Sequence, residues 1–279
     1  MQGPIAQAAA LAIYGNDRCS GHERPGFWPG ATVFNYCKSV RFVALDGDLR
    51  APVETPFADD PVAWIGALRD GGIRRLRLHY VQGHHPLMTD RLSVAFAGGG
   101  GRWLIEALHG DGAGRGGDRG ADLWEAKWSL GDRKDPERRI WTVAYGRVQA
   151  DGAPLELAER PLTAIRHDLE AALAKAEAFA TARDLAGFAA AFREARETLT
   201  SATPLAGVYH TDMAPTDGLL LEAKQLLAAT QAGWVFGGMG SWNDLSFPGA
   251  EGQEYDQLSE HLFALMVEAI HSAVNVSTR

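Results

Sequence analysis

The chain has 279 residues, of which 46% are hydrophobic and 22% charged, with a formal net charge of -8. That composition supplies a sizeable core and argues against global disorder, while the negative balance disfavours a nucleic-acid binder, whose affinity for phosphates would come from Lys and Arg. No apolar run approaches the ~20 residues that span a bilayer, the Ala-rich start from Ala8 to Ile13 lacks the flanks of a secretory signal, and the two cysteines, Cys19 and Cys37, suit a reducing compartment.

These features predict a cytoplasmic protein with no membrane partner. The charge is unevenly placed. Residues 1–150 carry 19 Lys+Arg against 17 Asp+Glu, and residues 151–279 carry 8 against 18, so the second half is acidic and the first nearly neutral. Six of the eight tryptophans also lie in the first half, which puts a compositional boundary near Gly152–Pro154.

In chain order, Val33 to Val43 can supply a strand, and Pro61 to Asp70, with Trp64, Ile65 and Leu68, reads as a short helix before Gly71-Gly72. Arg75 to Tyr80 alternates polar and apolar residues, the period of a half-buried strand. Leu92 to Phe96 alternates likewise, and the tetraglycine Gly98 to Gly101 then joins it to Arg102–Leu108, which predicts a hairpin. Gly110 to Gly120 reads as a mobile loop. Leu123–Trp128 and Ile140–Tyr145 form another pair across the charged turn from Gly131 to Pro136. Alternation places Trp124 and Trp128 on one strand face, and Trp141, Val143 and Tyr145 on one face of the next. An aromatic face of this kind must be covered, and the helices of the second half are the expected cover.

Beyond Pro161 the period changes to three and four residues. Leu162, Ile165, Leu169, Leu173 and Ala176 mark one helix, and Leu185, Phe188, Phe192, Ala195 and Leu199 a second. A third, capped at Thr216 or Asp217, carries Leu219 to Trp234; a fourth carries Tyr255 to Ala273, with Glu251, Glu254 and Asp256 near its start, where the helix dipole favours negative charge.

The densest cluster of unusual residues is the connection before the last helix, with Trp234, Gly238, Gly240, Ser241, Trp242, Asn243 and Asp244. Two readings compete. Either the glycine backbone and polar side chains line a small-molecule pocket walled by tryptophan, or the glycines reverse the chain, Trp242 plugs the core and Asn243 or Asp244 closes a local turn. Neither a nucleophile elbow nor a phosphate loop is present. Tyr209, His210 and Asp212 form a second candidate group in the loop before the third helix, which a bundle either brings near that helix's far end or, in an up-down arrangement, leaves at the opposite pole from the glycine-rich connection. His79 with His84, His85 and Asp90, and Cys19 with His22, Glu23 and Cys37, contain ligand-type residues but no metal-binding spacing, so no metal and no cofactor is expected.

The reading is therefore α+β: an N-terminal antiparallel meander of four to six strands (residues 1–152) packed against a C-terminal acidic bundle of about four helices (residues 153–279), docked as one compact unit. The expected function is binding of a small molecule or peptide near Gly237–Asp244, with enzymatic activity left open. The alternative is an inhibitor-like interaction module that uses the acidic helical half to hold a protein partner. The oligomeric state is left open, a homo-oligomer included.

Overall fold

The computed structural model describes residues 1–48, 50–83, 87–94, 99–110, 120–157, 160–213 and 218–276. It is a mixed α/β protein with one six-stranded sheet. Helix α1 spans Gly3–Cys19 and a short turn of helix, α2, Phe27–Gly30. Strands β1 (Cys37–Asp46) and β2 (Val53–Ala58) precede α3 (Pro61–Asp70) and β3 (Ile73–Val81). The short helix α4 (Asp90–Ser93) leads to β4 (Arg102–His109), β5 (Ala121–Leu130) and β6 (Trp141–Gly152). Helices α5 (Leu162–Thr181), α6 (Ala186–Thr198), α7 (Leu221–Ala232) and α8 (Gly249–Val276) complete the chain.

The strand order is β2-β1-β6-β5-β4-β3. Four of the five pairings are antiparallel, but β1 runs parallel to β6, Val40 opposite Val143 and Phe42 opposite Tyr145. The sheet is thus mixed rather than antiparallel, because the return from β1 to β6 passes through the rest of the sheet instead of a tight turn.

The expected strand at Leu92–Phe96 is a second correction. Leu92 and Ser93 lie in α4, and the hairpin partner of β4 is β3. Thr89 caps α4 by accepting the Leu92 amide, and Asp90 is tied to the Tyr80 hydroxyl and the Gly83 amide, so local capping overrides a short alternation. Ala95 and Phe96 lie outside the described residues, as do most of the glycine-rich 110–120 tract and the expected cap at Thr216 or Asp217. By contrast α3 starts where its sequence signals lie: Pro61 occupies the first turn, and the Asp60 carboxylate accepts from the amides of Val62 and Ala63, both at 2.8 Å.

The aromatic face of the sheet is covered chiefly by helices of the first half. Trp124 packs against Phe42, Phe57 of β2 and Trp64 of α3. Helix α1 lies across β3, β4 and β5 and also meets α8, so it is enclosed by the sheet on one side and helices on the other. Every residue from Ile5 to Asn16 is buried. Its buried polar side chains are bonded: Gln7 donates to the Val33 carbonyl and accepts from the Tyr145 hydroxyl, and Asn16 bonds strand β3. The helix comes unusually close to β3 at Gly15, where an added Cβ would lie 2.2 Å from Leu76 Cδ1. The second-half helices reach the sheet through α8, which packs on β3, while α5 packs on α6 and α8, and α7 on α6 and α8.

Strand β3 is a sheet edge, with backbone groups facing away from β4. Two asparagines occupy them. The Asn16 side chain of α1 accepts from the Leu76 amide at 2.7 Å and donates to the Leu76 carbonyl at 2.9 Å. Asn275 of α8 does the same two residues on, accepting from Leu78 N at 2.8 Å and donating to Leu78 O at 2.9 Å. Each carboxamide stands in for one residue of a neighbouring strand, and the edge is closed by two helices.

Candidate functional site

The first turn of α1 lines part of an open cavity whose total volume, about 1150 Å³, also takes in residues of the opposite sheet face such as Ala144 and Gly146. Trp103 of β4, Trp128 of β5 and Trp141 of β6 line it from the sheet, Trp234 from the segment after α7, and Ile5 and Val33 contribute apolar surface. Sequence distance gives no hint of this convergence, since the four tryptophans come from β4, β5, β6 and the helical half. Trp128 and Trp141 meet edge to face at 6.0 Å, and a Cβ added at Gly3 would stand 3.9 Å from the Trp128 ring, an ordinary contact. The lining continues as an open groove over Arg50 and Glu54, both exposed, whereas Ile5, Val33 and His210 on the α1 side are buried. The first turn of α1 has no side-chain cap; Pro4 has no amide hydrogen and the Ala6 amide donates to the Gln2 carbonyl, which leaves the amides of Gly3 and Ile5.

On the polar side stands His210. Its Nδ1 is 3.2 Å from Thr32 Oγ1, and the Thr32 hydroxyl is bonded in turn to Asp212 Oδ2, which also accepts the Thr32 amide at 2.6 Å. The backbone of His210 is clamped separately by Gln231, which accepts from its N–H at 3.0 Å and donates to its carbonyl at 3.1 Å. Burial pushes the ring's pKa down from 6.5 to about 4, aided by the nearby Met1 amino group and opposed by Asp212. His210 is therefore neutral at physiological pH. Burial likewise lowers the Met1 amino group to about 6.

Of the residues singled out from sequence, Tyr209, His210 and Trp234 line this cavity, and Asp212 stands behind His210. Of the two placements open to the Tyr209–Asp212 segment, the structure has the one at the far end of α7, where Gln231 holds His210. The chain from 199 to 220 is long enough to run back along α7, a helix of 12 residues that covers roughly 18 Å, and so meets its C-terminal end at Gln231.

Gly238, Gly240, Ser241, Trp242, Asn243 and Asp244 do not line the cavity. Ser241 accepts from Asn243 N and donates to Gly237 O at 3.0 Å, and Asp244 accepts from Gly240 N at 2.5 Å. Asn243 donates to the Arg91 carbonyl at 2.7 Å and accepts from its guanidinium at 3.2 Å. That guanidinium, only 2% exposed, also holds Asp256 and Glu260 of α8. Trp242 is fully buried, its indole N–H donating to Ser259 Oγ at 2.7 Å.

Among the described residues no group of three or more His, Cys, Asp or Glu side chains converges to hold a metal; His84 and His85 lie outside them. Among the described residues no helix is long and apolar enough to cross a membrane. Buried Glu106 is bonded instead to His79 at 2.8 Å and the Leu155 amide at 2.6 Å, which pins the segment after β6 to the sheet. Burial alone would raise its carboxyl pKa, but these bonds and the charges of His79 and Arg77 outweigh it and hold the group below the usual glutamate value. A smaller cleft of about 600 Å³ lies between the first turn of α5 and the end of α8, beside Arg160 and His271. Arg160 is already paired there with Asp168 and Glu268.

The lowered His210 pKa has a consequence for stability. Between pH 6.5 and about 4 the unfolded chain binds more protons at this residue than the folded one, so its contribution is fully present above 6.5 and is lost as pH falls toward 4. The expected size is on the order of 2–3 kcal/mol. Denaturant melts at pH 7 and 4.5 should show a smaller acid loss for His210→Gln than for the wild type; equal losses would mean the ring is not desolvated.

Comparison with family models, with curated proteins and with solved structures finds no match for this chain. Its chemistry is read from the cavity itself.

Proposed function

We propose that this protein is a small-molecule binding protein whose ligand has a largely aromatic body and sits in the cavity at the first turn of α1. The observation that carries this reading is the gathering of Trp103, Trp128, Trp141 and Trp234 around one space. Binding sites are typically concave and mostly apolar, with a few placed polar groups, and here Thr32 and His210 supply those groups. The site adjoins the glycine-rich connection through Trp234, while the polar residues of that connection hold turns and Arg91.

The competing reading, an interaction module acting through the acidic helices, draws on the excess of Asp and Glu beyond residue 151. Part of that charge is paired internally, Glu177 with Arg193 and Arg196, and Glu251 with Arg183.

The test uses 2-methoxynaphthalene followed by ligand-observed NMR. Saturable binding is expected, weakened roughly tenfold by Trp128→Ala, in keeping with about 1.4 kcal/mol for a lost aromatic wall. Binding unchanged in Trp128→Ala and Trp103→Ala would place the site elsewhere, and no binding at all would favour the interaction module.

A further inference from the structure

The hydrogen-bond chain behind His210 dictates which of its ring nitrogens carries a proton. Thr32 has one hydroxyl hydrogen, and its contact with the Asp212 carboxylate commits that hydrogen to Oδ2. The Thr32 oxygen then has only lone pairs to offer His210 Nδ1, so Nδ1 is the protonated atom and donates. Nε2 is left with a lone pair. Among the described residues it has no partner, yet it is not one of the fully enclosed unpaired atoms, and the residue that bears it lines the cavity while being only 9% exposed.

Gln231 fixes the backbone and the Thr32–Asp212 pair fixes the ring, so Nε2 is a hydrogen-bond acceptor held in place before any ligand arrives. An acceptor fixed in this position is matched by a group that brings its own hydrogen: water while the cavity is empty, a donor on the ligand when it is filled.

We propose that the ligand carries a hydroxyl group on its aromatic body and donates it to Nε2 of His210. This rests on the small-molecule reading of the same cavity. A carboxylate or ether has no hydrogen to give. A hydroxyl also has an oxygen able to accept from the uncapped first turn of α1, which lines the same cavity. Asp212 is the charged group behind the ring; the Met1 amino group, pushed down to about 6, is largely neutral at pH 7, and the Tyr209 ring stands edge-on at 4.7 Å. The ring remains neutral, and the acceptor present, at neutral pH.

The experiment compares 2-naphthol with 2-methoxynaphthalene at pH 7, two probes that differ by replacement of the hydroxyl hydrogen with methyl. The wild-type protein should bind 2-naphthol about 3- to 10-fold more tightly, the worth of one net hydrogen bond. In His210→Phe the preference should vanish while 2-methoxynaphthalene still binds. Thr32 is a positioning residue, and its test is spectroscopic. In the wild type, nitrogen-15 NMR of the His210 ring should show Nδ1 protonated and Nε2 bare, with the Nε2 signal moving when 2-naphthol binds. Thr32→Val should mix the tautomers and lower the preference. The ring spectrum of the wild type tests the assignment even where a variant does not fold.

Equal affinity for the two probes, a preference that survives in His210→Phe, a protonated Nε2 in the free protein, or tighter binding of 2-naphthoate than of 2-naphthol would each overturn the proposal. If 2-methoxynaphthalene binds without any preference for the hydroxyl, the cavity reading stands and this inference alone falls. If neither probe binds, both fall together.

Discussion

Replacing Trp242 by alanine should lower stability by about 3–5 kcal/mol, the range for deleting a buried large aromatic side chain. The ring has no exposed surface and is surrounded by Phe179, Phe188, Phe192 and Tyr255 at centroid distances of 5.1 to 6.1 Å. Its indole N–H is bonded to Ser259, and its carbonyl accepts from the Tyr255 hydroxyl. Alanine removes the contacts that seat α5, α6 and α8 against the connection after α7, and it leaves the Ser259 hydroxyl short of its donor. Melting should fall by roughly 10 °C, at 2–4 °C per kcal/mol for a chain of this order. Ser241→Ala, which removes the two turn bonds of its hydroxyl, to the Gly237 carbonyl and the Asn243 amide, should cost about 0.5–2 kcal/mol. Probe binding should survive in both proteins, because neither residue lines the cavity. Thermal and denaturant melts decide the point: a loss below about 1 kcal/mol for Trp242→Ala would show that the ring is not part of the core.

Asn16→Leu should cost about 2–4 kcal/mol, because it orphans both the N–H and the C=O of Leu76 in a buried position, each worth about 1–3 kcal/mol when left unmade. Asn275→Leu should do the same at Leu78. Native-state hydrogen exchange gives the sharper readout. The Leu76 amide should lose protection in the first variant and the Leu78 amide in the second, with little change at Ile105 and Ala107 on the neighbouring strand. Unchanged protection at both amides would mean that burial under α1 and α8, rather than the two carboxamides, closes this edge. A protein with both substitutions should also be prone to self-association, since an open strand edge is a template for pairing with another chain.

The parts of the fold legible in the sequence are those with a strong local signal. Pro61 and Asp60 announced α3, the alternation in Arg75–Tyr80 and Leu123–Trp128 announced β3 and β5, and the apolar stripes at Leu162–Ala176 and Tyr255–Ala273 announced α5 and α8. Helix α1 is not legible as a helix because its alanine-rich run from Ala8 to Ile13 offers few large apolar side chains to mark a stripe. The false strand at Leu92–Phe96 arose because a few alternating residues fit a strand and a short capped helix equally well. The candidate site was legible only in fragments. Trp234 and His210 could be named from sequence, but nothing in the chain connects them to Thr32, Trp103 or Trp128.

The sequence by itself determined the α+β character, the acidic helical half and the presence of an aromatic sheet face, since each follows from composition and from periodicities within ten to twenty neighbouring residues. Only the tertiary structure decided that β1 runs parallel to β6, that α1 rather than the later helices lies on the aromatic face, and that two asparagines close the sheet edge. It alone brought His210, Thr32 and four distant tryptophans to one cavity. The reason is physical: a side chain's local pattern reports whether it is buried, but the partner it is buried against is chosen by packing between elements far apart in the chain, and a site built from such partners leaves no spacing to read.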